Sequence, residues 1–214
     1  MAAILGGFPT AAGAGVNASA RLVVDLDPAT EGLQAARSLG INTEFDVDLV
    51  AQGVSDLHGV NFNLTFEAAK LQLVKVGGKV VREGPFLGTN AAGDPTVFLG
   101  TLDGSTLNVS TAILGQNFGV DGEGVLARLR FKVLAAGSST LTWSHVLCSD
   151  HHNVRDEITG NCVEGKVSAY GAVASFAVEA SPQVPVGGVA RVTVTARDAE
   201  GNVNPTYTGT VRIT

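Results

Sequence analysis

Residues 59–66 carry the clearest hydrophobic pattern in the chain. In Gly59-Val60-Asn61-Phe62-Asn63-Leu64-Thr65-Phe66, the apolar Val60, Phe62, Leu64 and Phe66 share one parity, and Asn61, Asn63 and Thr65 share the other. Successive side chains of an extended strand point to opposite faces, so the pattern predicts a strand with an apolar inner face and an amide-bearing outer face. A helix would need apolar positions three and four apart, which are missing here.

The same period recurs on both sides. Leu22-Val23-Val24-Asp25-Leu26-Asp27 predicts a first strand that stops at Pro28, and Phe45 to Leu49 a second with Asp46 and Asp48 outward. Between them, Glu31 to Ser38 is polar, with a few helix formers. Residues 77–120 hold short apolar islands about ten residues apart, with Gly, Asn and Thr between them, the rhythm of a β-sandwich. In the next strand Val125, Ala127, Leu129, Phe131 and Val133 face in, and Arg128, Arg130 and Lys132 face out. Thr140 to Leu147 carries the only tryptophan, Trp143, on the core side. Residues 172–180 read as a junction, after which Val192 to Arg197 and Tyr207 to Ile213 alternate again. About three strands in the 43 residues 172–214 cannot bury a core of their own.

Composition agrees with an all-β chain: of 214 residues 27 are glycine, and only 16% are charged. No apolar run approaches the ~18 residues of a membrane-spanning helix. Net charge is −6 and no basic cluster occurs, which argues against nucleic acid and anionic membranes as partners.

Residues 1–20 end in Ala18-Ser19-Ala20, a small-x-small pattern that fits a signal-peptidase cut, but no Lys or Arg precedes the apolar patch. Signal-peptide remnant and flexible arm both stand as readings. Cys148 and Cys162 are separated by thirteen residues, and a disulfide between them in an exported protein is expected, worth roughly 3 kcal/mol by the chain-entropy model.

Candidate chemistry is sparse. No nucleophile motif, phosphate loop or zinc spacing is present, and with 6% aromatics there is no sign of a carboxylate cleft with sugar-stacking walls. The chain reads as a non-enzyme. Asp150, His151, His152, Asp156 and Glu157 are the one plausible metal cluster, yet they fit a solvated loop better, so no metal site is assigned. Calcium at Asp25, Asp27 or Asp121 is the only cofactor reading, and no spacing supports it. His58 falls in a turn, and His145 shares parity with Leu141, Trp143 and Leu147, as a core-edge histidine would. Asn17, Asn63 and Asn108 head Asn-x-Ser/Thr triplets.

Residues 20–171 resemble a cohesin-type module. The likeness rests on Phe45-Asp46-Val47-Asp48-Leu49, Gly59 to Phe66 with Leu71 and Val76, Gly122 to Val133, and Gly137 with Thr140-Leu141-Thr142. It implies a nine-stranded jelly-roll β-sandwich related to cellulose-binding modules. Phe66-Glu67-Ala68 stands where many members have Tyr-Asp-Pro. Residues 172–214 resemble the first half of a bacterial immunoglobulin-like repeat, through Ala196 to Val203 and Tyr207 to Val211. The domains expected are an arm at 1–20, a cohesin-like sandwich at 21–171 and a partial immunoglobulin-like sandwich at 172–214.

These resemblances imply a non-catalytic extracellular or cell-surface module of a larger protein, working in adhesion or assembly. In cohesin-type modules the partner docks on a sheet face that includes the outer side of the 59–66 strand, which places Asn61, Asn63 and Thr65 at the partner-binding surface. The alternatives are a scaffold module that captures a dockerin, a carbohydrate-binding module, and a subunit of a self-assembling fibre completed by strand donation from another copy.

Overall fold

The structure, a computed structural model, describes residues 15–115, 117–181 and 183–212. Alternating segments pair into two facing sheets. The first holds β1 (Arg21–Asp25), β3 (Glu44–Leu57), β5 (Leu71–Leu73), β6 (Arg82–Glu83) and β9 (Val120–Val133), in the order β1-β3-β9-β5 with β6 also on β9. The second holds β2 (Ala36–Gly40), β4 (Gly59–Thr65), β7 (Thr96–Asp103), β8 (Thr106–Ile113), β10 (Gly137–Ser149), β11 (Arg155–Glu157) and β12 (Gly165–Tyr170). Its order is β2-β12-β10-β4-β8-β7, with β11 on β10. The fold is all-β and sandwich-like, as expected; among the described residues the two sheets hold twelve strand segments, of which β5, β6 and β11 are short pieces.

The inner faces meet in one core. Phe62 and Leu64 of β4 are fully buried beside Leu129 and Phe131 of β9 and Leu141 of β10. Phe62 meets Trp143 edge-on at 5.5 Å, and Phe66 meets Phe131 edge-on at 5.1 Å. Trp143 Nε1 donates to the Val163 carbonyl at 3.0 Å, so its polar end is satisfied inside the core. Only His58 separates β3 from β4, so the chain crosses from one sheet to the other within a residue. Asp56, at φ 52°, makes that corner.

Three local expectations change. Ala36–Gly40 is a strand lying parallel to β12, because its partner is more than a hundred residues away and leaves no trace in the local pattern. In β9 the register against β3 skips Leu126 between Leu49 and Val50, which buries Leu126 and leaves Val125 half-buried. Residues 15–20 do not hang free. Asp156 accepts from the backbone N–H groups of Gly15 and Asn17 at 2.8 and 2.9 Å, and Asn17 is 1% exposed. The apolar patch of residues 1–14 lies outside the described residues.

After the sandwich, β13 (Ser175–Ala180) and β14 (Val192–Arg197) form a separate antiparallel pair. Residues 207–212 are not a strand, and among the described residues only an isolated bridge, Arg197 to Val203, continues the ladder. Phe176 and Tyr207 stack edge-on at 5.0 Å across this unit.

Candidate functional site

The outer face of the second sheet assembles what no single strand carries. In register, Leu99 of β7, Ser110 of β8, Asn61 of β4 and Leu147 of β10 form one row. Thr101, Asn108, Asn63 and His145 form the next, and Asp103, Thr106, Thr65 and Thr142 the third. The centre is thus a ladder of amides and hydroxyls, with charge confined to the rim.

Each predicted residue has a distinct state. The Asn61 amide donates to Ser110 Oγ, and Thr65 Oγ1 donates to the Thr142 carbonyl at 3.3 Å. Among the described residues the half-buried Asn63 side chain has no hydrogen-bond partner, and neither has that of Asn108 beside it. Two apolar positions join them: Leu99, 62% exposed, and the half-buried Leu147. Toward the Gly59 end the face dips into a trough of about 350 Å³, floored by Gly59, Ser110 and Ala112 and flanked by Leu99, Leu147 and Arg155. A Cβ on Gly59 would lie 2.9 Å from Ser149 Oγ, a contact that the serine hydroxyl would have to rotate away from.

His145 corrects the sequence reading. A register shift between Trp143 and His145 on β10 reverses the parity, so Trp143 stays inside while His145 and Leu147 turn outward. His145 Nδ1 lies 3.1 Å from Glu157 Oε2 and directly across from Asn63. Burial would raise the Glu157 carboxyl, but hydrogen bonds from Thr159 and the Val146 N–H, with His145 beside it, outweigh this and hold it below its ordinary value. A bulge is invisible to strict alternation, which is why the sequence misplaced this residue.

A concavity of about 700 Å³ lies elsewhere, on the outer face of the first sheet. There Asp46 takes both Arg130 Nε and Nη2 at 2.8 Å, Arg82 stands 3.9 Å away, and Arg128 pairs with Asp48 at 3.5 Å. Acids on β3 and bases on β9 already answer each other, whereas the β4 face leaves an amide open.

The remaining candidates serve structure. Asp150 caps the Val154 N–H at 2.8 Å, Asp156 ties down residues 15–17, and His151 pairs with Asp56 while stacking on His152 and Phe118. Asp25 accepts from the N–H groups of Asp27 and Gln34, Asp27 pairs with Arg37, and Asp121 accepts from the Asp56 N–H. Among the described residues no group of three or more His, Cys, Asp or Glu is placed to hold a metal ion. Cys148 and Cys162 are free thiols rather than the expected disulfide. Cys148 faces the core, and Cys162 Sγ is engaged by the Leu22 N–H and the Ile158 carbonyl, each at 3.3 Å. Burial, aided by the nearby Cys162 and acidic groups, pushes the Cys148 thiol up to about 12, which starves thiol exchange of thiolate.

The chain holds a two-sheet sandwich with a polar outer face on β7, β8, β4 and β10. The Cohesin domain family model matches residues 37–169, and the chain belongs to the cohesin family. No curated protein matches it. Among solved structures it is similar to a non-cellulosomal cohesin from the hyperthermophilic archaeon Archaeoglobus fulgidus, at 15% identity and TM-score 0.53, over 70% of this chain and 90% of that one. It is also similar to a type I cohesin–dockerin complex from Clostridium thermocellum, at 13% and 0.54, over 71% and 95%. A type II cohesin domain from the cellulosome of Acetivibrio cellulolyticus gives 16% and 0.53, over 69% and 94%. At these identities the likeness concerns the fold alone. Among the described residues no helix is long and apolar enough to cross a membrane.

Proposed function

We propose that the chain is a non-catalytic, extracellular binding module of a larger surface protein, and that it captures a dockerin on the outer face of β7, β8, β4 and β10. Asn61, Asn63 and Thr65 lie at the centre of the interface, and His145, Leu147 and Leu99 flank them. The observation that carries this reading is the unpartnered Asn63 amide on a flat face in a chain of the cohesin family. A buried amide must find a partner or cost stability, so such a group selects a surface that answers it. Leu99 and the trough supply the apolar contacts that amides lack. Sugar binding is the weaker reading, because Trp143 lies in the core and no Trp or Tyr stands in the three rows of the face.

The test is isothermal titration of the chain against a set of type I and type II dockerin modules. Binding by at least one of them, lost at least tenfold in Asn63→Arg with an unchanged melting temperature, is the expected result. Silence across the set, or binding that Asn63→Arg leaves alone, would remove the proposal.

A further inference from the structure

The sandwich ends at Tyr170 and the β13–β14 unit begins at Ser175, which leaves four residues, Gly171 to Ala174, as the connection. A short glycine-headed connection between two folded units is ordinarily a place of relative motion, unless contacts hold it. Here both polar atoms of the Gly171 backbone are taken by side chains of the 198–204 loop, which lies beside the start of β13. The Gly171 N–H donates to Asp198 Oδ2 at 2.9 Å, and Asn204 Nδ2 donates to the Gly171 carbonyl, also at 2.9 Å. One residue earlier, the Tyr170 carbonyl accepts from the Ile41 N–H at 3.0 Å, so the clamped residue follows directly from a strand end that the sandwich itself fixes.

The clamping loop is preorganised. Asp198 is 2% exposed, and its Oδ1 accepts from the N–H groups of Asn202 at 2.7 Å and Glu200 at 3.1 Å. The Asn202 amide reaches both carboxylate oxygens, at 3.2 and 3.0 Å. Gly201, at φ 86°, closes the turn, and Asn204 is oriented by accepting from the Thr206 N–H and hydroxyl. A carboxylate this buried persists only when its oxygens are hydrogen-bonded, and one of its donors belongs to the junction. The loop therefore completes its own hydrogen bonding by holding Gly171.

We propose that Asp198 and Asn204 form a joint that locks the β13–β14 unit onto the end of the sandwich, so that the two turn in solution as one body and the unit presents the sandwich at a fixed angle. The contact surface is the 198–204 loop, and what it binds is the backbone of the residue that follows the last sandwich strand.

Nitrogen-15 relaxation on the full chain tests this. The amides of β13–β14 and those of the sandwich are expected to report the same rotational correlation time. Gly171→Pro removes the donor to Asp198 while leaving the turn bonds of Asp198 in place. Asn204→Asp removes the donor to the Gly171 carbonyl while keeping the oxygen that holds Thr206. Each variant is expected to shorten the correlation time of β13–β14 by at least a third, with sandwich chemical shifts unchanged beyond Ile41 and Tyr170. Gly171→Ala is the control, since its Cβ would meet Ile41 Cδ1 and Asp198 Cβ at an ordinary 3.6 Å, and it is expected to behave as the unmodified chain. Independent tumbling in the unmodified chain would overturn the proposal, and so would joint tumbling that survives both variants.

Discussion

His145 of β10 stands directly across from Asn63 of β4, and a bulge one step earlier on β10 is what brings it there. The pairing sets an open amide of the face beside an imidazole that already holds Glu157 at 3.1 Å. Asn63 makes no hydrogen bond among the described residues, so Asn63→Ala should change stability by no more than about 0.5 kcal/mol. Asn61→Ala, which loses the bond to Ser110, should cost roughly 1 kcal/mol. Urea unfolding of the two variants side by side checks the contrast.

Phe62 is the matching test of the inner face. It is fully buried and meets Trp143 edge-on. Phe62→Ala removes that contact and opens a cavity in a core already closed by two sheets, which should cost about 3–5 kcal/mol. A stability loss of less than about 1 kcal/mol in urea unfolding would mean the strand is not the centre of the core.

The cysteines make an alkaline prediction. The Cys148 thiol, raised to about 12 by burial, keeps its proton in the folded chain after an unfolded chain with an ordinary value near 9.0 has lost it. Between those values the folded state binds more protons, so stability falls as pH rises, by up to about 1.4 kcal/mol per pH unit. Cys148→Ala should flatten that slope between pH 9 and 11 in urea titrations. At pH 8 neither thiol should react with a disulfide reagent until the chain unfolds.

Acid acts on a different set of groups. The Arg130 hydrogen bond holds the Asp46 carboxyl below its ordinary 3.8, against the smaller opposing effect of burial. A carboxyl lowered on folding stabilises the chain above its unfolded value, and that contribution is lost as pH drops through the folded one. Asp46→Asn should therefore lower the melting temperature at pH 7 more than at pH 3. Equal losses at both pH values would show that the ion pair contributes nothing measurable.

Much of this molecule was legible before any fold was known. Period-two alternation alone assigns the inner faces of β4 and of most of β9, because burial of every second residue is the one way an extended chain can exclude water from a core. The same rule placed Asn61, Asn63 and Thr65 outward. It could not show that Leu99, Ser110 and His145 lie beside them, because cross-strand neighbours are set by register, which depends on partners distant in the chain and on a single bulge. Nor could it find the parallel strand at Ala36–Gly40, the two thiols left unbonded, or the grip of Asp198 and Asn204 on Gly171. Local sequence determines which way a side chain points from its own strand; only the tertiary structure decides what it meets, because that depends on hydrogen bonds and close contacts between segments that the chain alone keeps far apart.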